Sequence, residues 1–274
     1  MLVILLAGTI VYSCGDDDGS DDPDANFDRQ GMLNNIGANL IVPGYQALDQ
    51  DMDALDDATD DFLNSPTTDN LNTVRNAFRT AYQSWQRVSP YEFGPADQVS
   101  FRSSVNNYPV DASKVEDNIT NGNFNLDVLA NNDAKGFPAI DYLLYEPGLS
   151  DQQVADRFDS DPTAANRGTY LSTNVEDISS LAETVYDGWA PDDGNYLASF
   201  VASTGIDVGS SLGLLVNGFN QHYERNLRDG KVGIPVGVRS LGIAQPERSE
   251  AFYSGISLDL AAENMNTIEN IYLG

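Results

Sequence analysis

The chain runs to 274 residues, with 42 acidic against 14 basic side chains and a formal net charge of −28 at pH 7. A surface this acidic repels nucleic-acid phosphates and anionic membranes, so neither is an expected partner. Cys14 is the single cysteine, which excludes an intrachain disulfide.

The chain opens MLVILLAGTIVYSC and passes directly into GDDDGSDDPDANFD. As a helix, residues 1–12 would cover about 18 Å against the roughly 30 Å of a membrane's hydrocarbon core. A secretory signal therefore fits better than a transmembrane span, although no Lys or Arg precedes Arg29. Cys14 follows Val11-Tyr12-Ser13, a loose form of the lipoprotein cleavage box, and the acidic run behind it resembles the export signal of bacterial surface lipoproteins. Residues 1–14 are thus expected to be a signal peptide with lipidation at Cys14, the alternative being a free thiol cut away with the signal. A lipid there would tether the protein to the bacterial cell envelope, at the outer membrane, as its only membrane contact. Residues 15–26 carry like charges without apolar periodicity and are expected to form a disordered acidic spacer.

From residue 27 onward the pattern is helical nearly throughout. Ile41, Tyr45, Leu48, Met52, Leu55, Thr59 and Phe62 recur at alternating steps of four and three, one face of a helix with Pro43 expected in or just before its first turn. SPTTDN (65–70) supplies a turn and a cap, and Leu71, Val74, Phe78, Ala81, Tyr82, Trp85 and Val88 form a second stripe. So short a connection makes the pair an antiparallel hairpin. Pro90 and Gly94-Pro95 end it, YPVD (108–111) reads as extended, and residues 111–135 as a short helix with turns. A further helix is expected over 137–145. Beyond a loop at 146–165, Leu171, Val175, Ile178, Leu181, Ala182, Val185 and Trp189 form another stripe, stopped by APDDG (190–194). Residues 195–228 read as mostly helical despite Gly205, Gly209, Gly213 and Gly218, KVGIPVG (231–237) as a loop, and 257–272 as a helix on Leu258, Ala262, Met265, Ile268 and Tyr272. There is no phosphate-binding glycine pattern and no run of alternating strands. The expected class is all-α, built of packed bundles, with the last bundle cut short at IENIYLG.

Several blocks carry a resemblance: DFLNSPTTDNLNTVRNAFRTAYQSW (61–85), YEFGP (91–95), NYPVD (107–111), KGFPAIDYLL (135–144), KVGIPVG (231–237) and SEAFYSGISL (249–258). In this order the chain resembles the imelysin-like family, once classed as peptidase family M75. The resemblance implies a bilobal fold of two helical bundles, here residues 27–165 and 166–274, in a lipidated envelope protein linked to iron uptake. It further implies iron or another divalent metal as the cofactor, and a metal ion or iron-uptake envelope proteins as partners.

The family's hallmark is G-x-H-x-x-E, in which His and Glu lie on one helical face and can reach one metal. The matching positions are Gly136, Pro138 and Asp141. Pro138 brings no donor atom. Asp141 keeps the charge on a shorter side chain. From the residues alone the stretch reads as a helix start, with proline in the first turn and Asp141 favoured by the exposed N–H groups of that end. A surviving ligand site on Asp141 is the alternative. Ser89 stands where many relatives have glutamate, and Glu92 falls at a variable position and is not taken as a ligand. Glu250 matches the glutamate before the family's serines, here Ser254 and Ser257, and reads equally as a ligand or a helix cap. His222 matches no motif position and is expected to be a packed or surface residue. With one histidine, an HExxH zinc motif cannot be written, and no serine has an evident base. Trp85 and Trp189 are expected in the core, and Asp56, Asp57, Asp60 and Asp61 on a solvated face.

These readings favour a non-enzymatic envelope lipoprotein of the imelysin-like type, acting in metal acquisition or extracellular binding with a degenerate metal site and no catalytic residue. The alternatives are a metal-dependent peptidase of the M75 type and a cell-surface structural or interaction protein.

Overall fold

The three longest apolar stripes of the sequence become the three longest helices. In the computed structural model, which describes residues 27–273, these pack side by side and carry most of the core. The expectations for the signal peptide, Cys14 and the acidic spacer lie outside the described residues. Helix α1 (Arg29–Ile36) runs through a π-helical stretch at Gly37–Ile41 into α2 (Val42–Asn64). Pro43 lies in the first turn of α2, as its position predicts, although α1 and the π-helical stretch carry the helical run on ahead of it. The widened turn explains this: the Val42 N–H reaches back to the Gly37 carbonyl, so the ladder has already shifted where proline has no N–H to give.

Tyr45, Leu48, Met52, Leu55, Thr59 and Phe62 are all buried on α2, as their spacing predicts. Ser65–Thr67 turns the chain, and the Thr67 hydroxyl caps α3 (Thr68–Val88) by accepting from the Asn70 N–H at 3.2 Å. Short helices follow: α4 (Pro95–Gln98), α5 (Phe101–Val105), α6 (Ala112–Asn121), α7 (Phe137–Leu144) and α8 (Asp151–Asp156). Tyr108 and Pro109 are joined by a cis peptide. The long α9 (Ala164–Trp189) closes on α2, with Leu171, Val175, Ile178, Ala182, Val185 and Trp189 buried. Trp189 and Trp85 are core residues, each against aromatic neighbours.

The second half departs further from the sequence reading. Helices α10 (Tyr196–Ala202) and α11 (Ser211–Gln221) are separated by an irregular stretch holding Gly205 and Gly209. From His222 to Gly233 the chain continues as a π-helix, so the first half of KVGIPVG is helical and only its second half turns. The last helix, α12 (Ser257–Leu273), exists where expected but is rotated. Leu258, Met265 and Tyr272 are exposed, while Leu260, Asn264, Thr267, Ile268 and Ile271 face inward against α3. Polar Asn264 points inward because a buried hydrogen-bond network awaits it there. Among the described residues no strand forms, and no helix is long and apolar enough to cross a membrane. The class is all-α.

Candidate functional site

The motif stretch begins at a residue that has to be glycine. Gly136 has φ +77°, and a Cβ on it would stand 2.2 Å from the Val105 carbonyl oxygen. Its N–H donates to Asn174 Oδ1 at 2.9 Å, anchoring the turn to α9. Pro138 sits in the first turn of α7, and the whole of that helix is buried. Phe137 stacks on Tyr82 of α3 with centroids 4.5 Å apart. The helix-start reading of GFPAID is what the backbone does.

Asp141 behaves differently from the sequence expectation. Its carboxylate does not serve the N-terminus of its own helix. Oδ2 accepts from the Tyr253 N–H at 2.9 Å and Oδ1 from the Ser254 N–H at 3.1 Å, so it pins the turn ahead of α12. Burial raises its pKa to about 6, against the lowering effect of the Ser254 and Tyr253 hydrogen bonds, with nearby Glu250 adding to the rise. Ser254 is thus a backbone donor in that turn, and Ser257 opens α12.

Glu250 is fully buried and is neither a helix cap nor an open ligand. It forms an ion pair with Lys231, while its Oε1 accepts from Gln86 Nε2 at 3.1 Å and Asn106 Nδ2 at 2.7 Å. Lys231 Nζ also donates to Gln86 Oε1 at 2.8 Å. Burial lowers the Lys231 pKa, and the adjoining Glu250 charge pulls it back up. Tyr82 extends the network by donating to Asn106 Oδ1 at 2.7 Å.

A second polar group lies beside the first. Asn264 Nδ2 donates to the Gln86 carbonyl and to Ser89 Oγ, both at 3.0 Å, while its Oδ1 lies 2.8 Å from His222 Nε2. Ser89 Oγ and His222 Nε2 are 3.5 Å apart. This serine–histidine contact was invisible in the sequence, because Ser89 caps the end of α3, His222 opens the π-helix 133 residues later, and His222 belongs to no motif. It is not a nucleophile–base pair. The short bond assigns the Nε2 proton to Asn264 Oδ1, leaving Nε2 unable to accept one from serine, and no carboxylate backs the imidazole. Burial, then Arg102, brings the His222 pKa down to about 3, so the ring is neutral at ordinary pH. Glu92 uses both oxygens on the Arg102 backbone N–H, at 3.0 and 3.2 Å. Asp57, Asp60 and Asp61 are exposed and Asp56 is half-buried.

The donor set bears on whether a divalent metal fits. Pro138 offers nothing, both Asp141 oxygens hold backbone N–H groups, and Glu250 is already neutralised by an internal ammonium. Among the described residues no group of three or more His, Cys, Asp or Glu side chains is placed to hold a metal ion. As arranged, these residues do not fit a metal.

The sequence profile of the imelysin family, peptidase M75, matches residues 41–274. The chain is 26% identical over 239 residues to the iron-regulated protein A of Synechococcus elongatus, covering 86% of this chain and 62% of that protein. It therefore spans less than two thirds of that relative's length. Among solved structures it resembles one described as an iron-regulated protein A precursor of Parabacteroides distasonis, with TM-score 0.71, 19% identity, and 89% of this chain and 73% of the other covered. An imelysin-like protein of Psychrobacter arcticum superposes with TM-score 0.57 at 19% identity over the same shares of the two chains. These two likenesses establish the fold.

Proposed function

Because this chain belongs to the imelysin family, we propose that it is a lipid-anchored envelope protein of iron acquisition that works by binding, not by hydrolysis. The observation that carries the non-hydrolytic part is the occupancy of the motif carboxylates: Asp141 on the Tyr253 and Ser254 N–H groups, Glu250 on Lys231. Amide hydrolysis needs a polarising ion or an activated nucleophile. Here the two acids are spent on structure, and the neighbouring serine and histidine are bonded away from each other. The iron part is supported by the name of the Synechococcus relative. The anchor rests on Cys14 and the apolar residues before it. The expected partners are envelope proteins of iron uptake.

Deletion of the gene in its host should slow growth when iron is limiting and leave growth in iron-rich medium unchanged. Equal growth of the deletion strain under both conditions would overturn the iron reading. The purified full chain should release no peptides from casein, with or without added zinc. Cleavage that a chelator abolishes would restore the peptidase reading.

A further inference from the structure

Beside the Tyr108–Pro109 segment lies a cleft of about 400 Å³, bordered by Asn107, Tyr108, Arg225, Asn226, Asp229 and Arg248 among others. A smaller recess shares Tyr108 and Asn226 with it and reaches Arg102, His222 and Lys231. The charge here runs against the rest of the molecule. Ten Lys and Arg side chains lie within ion-pair distance of a carboxylate: Arg75, Arg79, Arg87, Lys114, Lys135, Arg157, Arg167, Arg228, Lys231 and Arg239. Among the described residues Arg102, Arg225 and Arg248 have no such partner, and all three border this cleft or the recess that adjoins it.

In a chain with 42 acids to 14 bases, three guanidiniums in one place with no carboxylate at ion-pair distance are a departure that charge balance does not explain; Glu92, near Arg102, spends both oxygens on that residue's backbone N–H. The single acid of the cleft wall, Asp229, is held by Arg239 through both oxygens at 2.9–3.3 Å, so it does not cancel them. Arg225 and Arg248 are exposed at the mouth, the latter bonded only to Gln245 at 3.3 Å. Arg102 donates to the Ser89 carbonyl, and its buried Nε has no partner. The wall is also built for close approach: a Cβ on Gly230 would stand 3.3 Å from the Tyr108 hydroxyl and 3.1 Å from the Arg225 carbonyl. Guanidinium forks match the paired oxygens of carboxylates and phosphates, and a cleft of this volume suits a small molecule.

We infer that the cleft between Tyr108 and the π-helix of His222–Gly233 binds a small multiply charged oxyanion through Arg225 and Arg248, with Arg102 beneath. The acidic remainder of the surface repels such ions, so saturable binding can arise only where cations are left over. No metal takes part, and the site stands or falls separately from the iron reading.

The test is calorimetry on the full chain in metal-free, low-salt buffer, with citrate in one arm and inorganic phosphate in the other. One-site saturable binding of citrate alone assigns a polycarboxylate, and of phosphate alone a phosphate ligand. Arg225→Gln/Arg248→Gln should weaken that binding by at least about tenfold. Arg79→Gln, at an exposed arginine 3.6 Å from Asp259 on another face, should leave it unchanged. Both variants alter exposed side chains, and an unchanged thermal melt confirms that each folds. Failure of both anions to saturate overturns the inference. So does wild-type affinity in the double variant, or equal loss in Arg79→Gln.

Discussion

Removing either member of the Lys231–Glu250 pair should cost far more than removing both. Lys231→Met leaves a fully buried carboxylate with only Gln86 and Asn106 as donors. Glu250→Gln leaves a buried ammonium with only Gln86 Oε1, at 2.8 Å. An uncompensated buried charge of this kind costs about 3–5 kcal/mol. In the double variant both charges are gone. An amide at 250 can still accept from Asn106 and donate to the Gln86 oxygen that lysine vacates, so the total loss should stay within about 2 kcal/mol. The double-mutant cycle should therefore return a coupling of about 4 kcal/mol or more. Urea denaturation reads this directly. With a slope of about 3 kcal/mol/M, each single variant should lower the midpoint by about 1–1.7 M, and the double by much less. Single variants costing under about 1 kcal/mol, or a double equal to the sum of its parts, would refute the claim that the pair is a desolvated internal charge balance.

Three further outcomes follow from the same cluster. Asp141→Ala leaves the Tyr253 and Ser254 N–H groups unbonded and should cost about 2–4 kcal/mol by urea denaturation, whereas Asp141→Asn, which keeps an acceptor, should cost clearly less. Asp141 has a folded pKa raised to about 6 above the ordinary 3.8, so the folded state holds the extra proton between these values. Its share of stability thus grows as pH falls from 7 towards 4, by about 1 kcal/mol at pH 5. The stability of wild type relative to Asp141→Asn should rise by that amount over pH 7 to 5, and a pH-independent difference would contradict the buried, charge-disfavouring site. Gly136→Ala combines a positive φ with a 2.2 Å approach to the Val105 carbonyl and should lower the melting temperature sharply or prevent folding; a melt within a few degrees of wild type would contradict that backbone geometry.

The residues whose burial is set by local periodicity were legible in the sequence. The stripes of α2, α3 and α9 announce their own inward faces, because each buries apolar side chains at steps of three and four. Helix α12 was legible as a helix but not in phase, since its inward face carries Asn264 and Thr267 while Leu258 and Met265 point out. Burial there is set by polar partners on α3 and on the π-helix, and periodicity is blind to partners. The π-helices themselves leave no period that a 3.6-residue template detects. At the site, the deficit at Pro138 was plain in the sequence, and so was its structural cause at a helix start. What could not be read was where the carboxylates turn. Asp141 bonds to a turn more than a hundred residues away, and the ammonium beside Glu250 comes from a stretch that reads as a glycine-rich loop. The excess of acids over bases pointed to a surface that repels anions, whereas the unpaired guanidiniums at one cleft emerge only when each basic side chain is placed beside its partner.

Whether structural bonds occupy the motif carboxylates is decided by titrating the full chain with zinc and with ferrous iron and repeating this with Asp141→Ala. Neither metal should give stoichiometric heat that depends on Asp141, because both its oxygens already hold backbone N–H groups. One-to-one binding in wild type that disappears in Asp141→Ala would show a working metal site beside Pro138 and contradict that occupancy.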